Sequence, residues 1–337
     1  MYLWYSNSMN RMVGGLVLML LIAGGILYAL LGDRQSNSVI SPITQVLERS
    51  LDKYSIDSLT RRQGKGSAIV FDTAVATTSA YTVHEFSFTS DGKKVTGLAH
   101  VPSDASAAGK KPVIVQIRGY VDRSVFASGV GTRRSAEVFA ANGFISLAPD
   151  FLGYGGSDNP SNDVFEERFQ TYTVTLDLLA SVGSLPQADS EKIGIWAHSN
   201  GGQIALTVLE ITRGTYPTVL WAPVTKAFPY SILYYTDEAD DKGKALRKKL
   251  AEFERNYDVD LYTLVNFTDR IAAPLQIHQG SADDAVPQRW NDDFVDQLKA
   301  RDADVEYIVY PGAEHNMQPG WNTAVSRSME FYRSHGL

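Results

Sequence analysis

From Pro112 onward, short apolar runs alternate with longer stretches of helical spacing. The runs Val113–Ile117, Phe144–Ala148, Lys192–Trp196, Thr218–Trp221, Pro274–His278 and Val305–Tyr310 have the length and continuity of buried strands. Between and after them, Arg134–Asn142, Tyr172–Leu185, Ser199–Thr212, Gln288–Ala300 and Asn322–Ser334 carry apolar positions at helical intervals. Such alternation predicts an α/β fold with a doubly wound, mostly parallel sheet. Ahead of it, Tyr81–Ser90 and Lys94–Val101 alternate apolar and polar residues around Asp91-Gly92, which predicts an antiparallel hairpin.

Two segments break the rhythm. About fifty residues separate the strand ending at Trp221 from the one starting at Pro274, far more than an ordinary connection in such a fold. This stretch, roughly 223–272, opens on Phe228-Pro229-Tyr230 and Ile232-Leu233-Tyr234-Tyr235 and continues into a charged helix. It reads either as a cap over the carboxyl ends of the strands or as a solvated helical excursion. The second segment is Met12–Leu31, continuously apolar and bracketed by Arg11 and Asp33-Arg34. Twenty helical residues span about 30 Å, the thickness of a bilayer core. A cleaved signal peptide is the rival, but its apolar region runs to about 7–15 residues, and Leu30-Leu31-Gly32-Asp33 is a poor cleavage site. The expected organisation is a tail and transmembrane anchor over 1–34, a linker and amphipathic helical region over 35–80, and a catalytic domain over 81–337. The domain is expected to be exported, held at the membrane by a single N-terminal pass.

Composition narrows the chemistry. The 337-residue chain has 44% apolar residues, enough for a large core. Its net charge of −7, with the basic residues scattered, argues against a nucleic-acid partner. It contains no cysteine, which excludes disulfides, thiolate catalysis and cysteine-bound zinc. The six histidines show no metal-binding spacing, so neither a metal nor another cofactor is expected.

The candidate chemistry centres on Ile193–Leu206, I-G-I-W-A-H-S-N-G-G-Q-I-A-L. A strand runs through Ala197-His198-Ser199-Asn200-Gly201 into a helix, which is the pattern of a nucleophile elbow. Small residues two positions before and after Ser199 fit its strained turn. A serine hydroxyl needs a base within hydrogen-bond reach. His84, His100 and His278 fall within expected strands, His335 lies in the terminal tail, and His198 should point away from its neighbour. His315 remains, in the loop Pro311–Asn316 after the last strand. A carboxylate should fix its tautomer, and Asp283 and Asp284 both lie in the loop after the preceding strand. The oxyanion donors expected are the backbone N–H of Asn200, just after the nucleophile, and that of Tyr120, in the Arg118-Gly119-Tyr120 loop. Arg118, Tyr230 and Tyr234 are candidate substrate contacts, although a solvated surface role for Arg118 is the plainer reading.

With Pro112–Tyr120 (P-V-I-V-Q-I-R-G-Y), Ala148–Ser157, Gly194–Gly202, Ile277–Pro287 and Tyr310–His315 in view, the chain resembles the prolyl oligopeptidase-type serine hydrolases. The likeness lies near their dienelactone-hydrolase-like branch and covers Tyr81 to the C-terminus. It implies the α/β-hydrolase fold and a Ser-Asp-His triad. The family's D-x-x-V-P pattern falls on Asp283 and so selects it over Asp284. The family usually has His where Arg118 stands. No stretch before Tyr81 resembles the β-propeller of the large members, so peptide specificity is not implied. The expected activity is hydrolysis of small-molecule ester or peptide bonds through an acyl-enzyme. The alternative is a membrane-anchored binding protein that kept the fold without the chemistry.

Overall fold

The computed structural model describes residues 49–236 and 239–337. Arg49–Leu337 form one compact unit. Its centre is a nine-stranded sheet in the order β1-β2-β3-β5-β4-β6-β7-β8-β9. The strands are β1 (Val70–Thr77), β2 (Tyr81–Ser90), β3 (Lys93–Pro102), β4 (Lys111–Ile117), β5 (Ile145–Pro149), β6 (Ala188–His198), β7 (Thr218–Trp221), β8 (Leu275–Gly280) and β9 (Val305–Tyr310). β1 pairs antiparallel with β2, β2 with β3 and β3 with β5, and the remaining pairings, β5–β4, β4–β6, β6–β7, β7–β8 and β8–β9, are parallel. The expected hairpin is present, with its turn at Asp91 and Gly92, both at positive φ.

The helices are α1 (Ile56–Arg62), α2 (Arg133–Ala141), α3 (Val164–Ser181), α4 (Asn200–Thr212), α5 (Tyr230–Leu233), α6 (Lys244–Asn256), α7 (Gln288–Lys299) and α8 (Trp321–Ser334). Helices α3, α4 and α7 cover one face of the sheet in a core that includes Phe169, Leu206 and Phe294. Helices α2 and α8 cover the other face around Phe139, Trp196, Trp221 and Tyr332. Alternation along β6 explains the division, because Ile195 and Ala197 join the first core while Trp196 joins the second. Burial of a side chain such as Phe169, fully enclosed, contributes about 1.5–3 kcal/mol.

Helix α3 starts at Val164, well before the expected Tyr172, and it stops at Ser181. Its start is set by Asp163, whose Oδ1 accepts from the N–H groups of Phe165 and Glu166. The 49–80 region belongs to the same unit as residues 81–337. Leu51, Tyr54, Ile56 and Leu59 enter the main core. Arg62, at the end of α1, holds the buried Asp177 of α3 through contacts of 2.9 and 2.8 Å. Strand β1 then adds a further edge to the sheet. The apolar run Met12–Leu31 lies outside the described residues. Among the described residues no helix is long and apolar enough to cross a membrane.

Candidate active site

The order of strands reverses around β4, with β5 on one side of it and β6 on the other. Crevices of doubly wound sheets form at such a point, outside the carboxyl ends of the strands. Ser199 follows β6 there and adopts φ 57°, ψ −124°, the strained conformation expected of an elbow. Backbone bonds on both sides hold it. Its N–H donates to Trp221 O at 2.9 Å, and its carbonyl accepts from Gly202 N at 2.9 Å and Val224 N at 3.0 Å. The small residues flanking it have a steric cause. A β-carbon at Gly201 would lie 2.1 Å from the carbonyl oxygen of Ile117, so the end of β4 leaves no room for one.

Asn200 adjoins Ser199 in the chain, and the loop that carries Tyr120 packs against it. A β-carbon placed on Gly119 would be 3.0 Å from that of Ser199, which puts the Arg118–Tyr120 loop directly against the elbow. The N–H groups of Asn200 and Tyr120 have no acceptor among the described residues. The Tyr120 side chain is 75% exposed.

The loops after β8 and β9 bring the acid and the imidazole together. Ala282 N donates to Ala313 O and Ser281 N to Tyr310 O, each at 3.0 Å, tying one loop to the other. The His315 Nδ1–H donates to Asp283 Oδ2 at 2.9 Å, because a carboxylate only accepts. This leaves Nε2 as the basic nitrogen. Asp283 also accepts from Ala285 N at 3.0 Å, Val286 N at 2.8 Å and Gln279 Nε2 at 3.1 Å. Burial alone would raise its pKa; the bond to His315 and the two backbone donors outweigh that and hold it below the ordinary carboxylate value. Asp284 is exposed and makes no side-chain hydrogen bond among the described residues. Among the described residues the Ser199 hydroxyl likewise makes no hydrogen bond. Such bonds are often long before substrate arrives and tighten in the complex.

His198 points away from Ser199, as expected, yet it is not a bystander. Its Nε2–H donates to the His315 carbonyl at 3.0 Å, and the two rings are 4.6 Å apart. Burial and the neighbouring His315 lower its pKa to about 4, so the ring is neutral. Position next to Ser199 was the available signal, but sequence does not show which loop a strand-end side chain meets.

A cavity of about 270 Å³ adjoins the free donors and is lined at one end by Gly119, Tyr120 and Asn200. Ile232 of α5 and Leu246 of α6, both within the 223–272 insertion, contribute to its wall. Arg118 also lines it but is not solvated surface, being only 6% exposed. Its guanidinium donates to Gly119 O at 2.9 Å and Asp150 O at 3.0 Å and lies 4.1 Å from the Tyr154 ring centroid. It braces the loop that carries Tyr120. Tyr230 and Tyr234 do not line this cavity. Both rings pack on Trp290, at 5.9 and 4.6 Å, beside the loop that holds Asp283.

Fold and site together define an α/β-hydrolase. The chain belongs to the prolyl oligopeptidase family, whose model matches residues 131–334. A curated Escherichia coli (strain K12) protein named "Putative carboxymethylenebutenolidase" is 24% identical over 270 residues, which cover 74% of this chain and 90% of that one. Among solved structures, acetyl xylan esterase 1 from Thermoanaerobacterium sp. superposes with a TM-score of 0.62 at 17% identity, covering 86% of this chain and 94% of its own. An S-formylglutathione hydrolase from Agrobacterium tumefaciens gives 0.56 at 19% identity, covering 78% and 98%. At these identities the structural likeness speaks for the fold.

Proposed function

We propose that the protein is a serine hydrolase that cleaves small acyl esters with Ser199, His315 and Asp283 as its triad. The observation that carries this is the Asp283–His315 hydrogen bond, set at the same sheet edge as the strained Ser199 and two N–H groups without acceptors. Ser199 Oγ attacks the acyl carbon while His315 Nε2 takes the hydroxyl proton. The carbonyl oxygen becomes an oxyanion held by the N–H groups of Asn200 and Tyr120. As the tetrahedral species collapses, His315 returns the proton to the leaving oxygen and the acyl group stays as an ester on Ser199. Water, deprotonated by His315, then attacks that ester and releases the acid and free Ser199. Asp283 keeps Nδ1 protonated and stabilises the imidazolium in both halves.

The small cavity beside the two donors, walled in part by the insertion, favours short acyl groups. Family membership keeps peptide substrates as a second reading. Comparing p-nitrophenyl acetate and butyrate with aminoacyl p-nitroanilides separates the two: ester turnover with little anilide turnover is expected, and the reverse preference would replace the esterase reading with a peptidase one. A fluorophosphonate probe should label the wild type and leave Ser199→Ala unlabelled; a wild type that fails to react would point to a binding protein. The support for membrane attachment is the sequence alone. The run Met12–Leu31 is assigned as a retained single-pass anchor with the hydrolase domain exported. Full-length protein should stay in the membrane fraction through alkaline carbonate and be digested by protease added outside the cell's inner membrane. A soluble product starting near Asp33 would refute the anchor.

A further inference from the structure

A second and larger cavity, about 510 Å³, opens on the opposite face of the sheet from the one beside Asn200. Its volume falls in the range of small-ligand sites. Arg133, Arg134, Trp196, His198, Trp221 and Trp321 contribute to its lining. The three tryptophans form a continuous panel, with Trp196–Trp221 ring centroids at 5.4 Å and Trp221–Trp321 at 5.9 Å. The Arg134 guanidinium lies 3.5 Å from the Trp321 ring centroid. Neither arginine forms an ion pair among the described residues, and the lining contains no Asp or Glu. In a chain of net charge −7, a pocket with only positive charges is not a by-product of composition.

The indole N–H groups of Trp196 and Trp221 are buried rather than presented to the cavity. The Trp221 indole N–H donates to Ser328 Oγ at 3.2 Å. Trp196, only 3% exposed and on the same face, carries an indole N–H with no acceptor among the described residues. Buried indole N–H groups normally find a partner. Rigid aromatic walls suit a planar ring, and two guanidinium groups without a carboxylate partner, of which Arg133 also donates to Ser128 O at 3.1 Å, suit an anionic acceptor.

We propose that this cavity is a binding site for a free aromatic carboxylate. Its wall includes His198, which holds the His315 carbonyl, so an occupant also touches the residue that positions the base. That consequence for turnover rests on the triad reading above, whereas the binding itself does not.

Three of the chain's five tryptophans line the site, so intrinsic fluorescence reports on it. Benzoate titrated into the full-length protein is expected to quench in a saturable way, with Kd on the order of 1 mM for so small a ligand. Benzamide and cyclohexanecarboxylate, lacking the charge or the ring, should bind much more weakly. Arg134→Glu should weaken benzoate at least ~10-fold while thermal unfolding shows the fold intact. Trp321→Ala is the second variant and should act in the same direction. Labelling Ser199 with a fluorophosphonate beforehand should leave benzoate binding unchanged. No saturable binding, equal binding of cyclohexanecarboxylate, or wild-type affinity in Arg134→Glu would each overturn the assignment. Loss of binding on labelling would place the ligand in the reaction crevice and overturn it as well.

Discussion

Of the two adjacent aspartates in the loop after β8, Asp283 alone reaches His315. It takes four hydrogen-bond donors, while its neighbour faces water. Asp283→Asn should therefore lower kcat on the order of 10³–10⁴-fold, because an amide cannot hold the productive tautomer. Asp284→Asn should stay within about 2-fold, as an exposed substitution does. Steady-state kinetics on p-nitrophenyl acetate decides between them, and an inverted ranking would sink the assignment of the acid. His198 should be felt differently. A neutral hydrogen bond is worth about 0.5–1.5 kcal/mol, or roughly 2- to 12-fold. His198→Phe, which keeps a ring without a donor, should lose that factor in kcat with KM little changed. His198→Gln, which restores an N–H, should regain most of it. Equal losses in both variants would mean the ring is packing only.

The elbow between β6 and α4 was legible in sequence because its constraint is steric and local. Only small residues fit around Ser199, and the string shows them. The prediction at this scale follows from the space around Gly201. Gly201→Ala would press a methyl group against the backbone carbonyls of Ile117 and Arg118, which cannot rotate away. Overpacking of this kind costs about 1–3 kcal/mol. It should also move the Tyr120 N–H relative to Ser199, so that kcat falls more than the loss of stability explains. Thermal unfolding and kcat measured on the same preparation check this, and an unchanged kcat with a lowered Tm would detach the β4 loop from catalysis. Other elements were hidden for physical reasons. β1 is an edge strand with Val70 and Val75 about half exposed and its register interrupted, so it lacks the alternation that marks half-buried strands. The first turns of α3 were signalled by Asp163 and by Glu166 three residues on, but the apolar spacing before Tyr172 is interrupted by charge. The residues of the proposed triad were chosen from their loops, their order and the family resemblance. Arg118 as a brace, the His198 contact and the tryptophan cavity could not be read this way, because each depends on which distant side chains meet.

At the scale of the whole molecule, the buried ionisable groups set a pH dependence of folding. His100 and His198 have their pKa lowered to about 4, and His278 to about 3, against 6.5 in the unfolded chain. Desolvation is the leading cause in each case. The ring nitrogens of His100 lack any partner among the described residues, whereas those of His278 meet Tyr310 and Gln276. Because the folded values lie lower, the unfolded chain binds more protons between about pH 4 and 6.5. Stability is then complete above 6.5 and is lost as pH falls through that window, with a slope of about 1.4 kcal/mol per pH unit for each histidine. Glu210 works the other way. Its carboxyl is fully buried without a hydrogen-bond partner among the described residues, and desolvation raises its pKa well above 4.5. It favours the folded state at low pH and so opposes the histidines, as does Asp150, also raised by burial; each carboxyl can offset at most one histidine. The net expectation is still falling stability on acidification from pH 6.5 to 5. Urea unfolding at half-unit steps of pH measures it. Glu210→Gln should steepen the slope, and His100→Leu should flatten it by about 1.4 kcal/mol per pH unit. A stability that is level or rises toward pH 5 in the wild type would mean that these rings are hydrated or already paired in the folded protein.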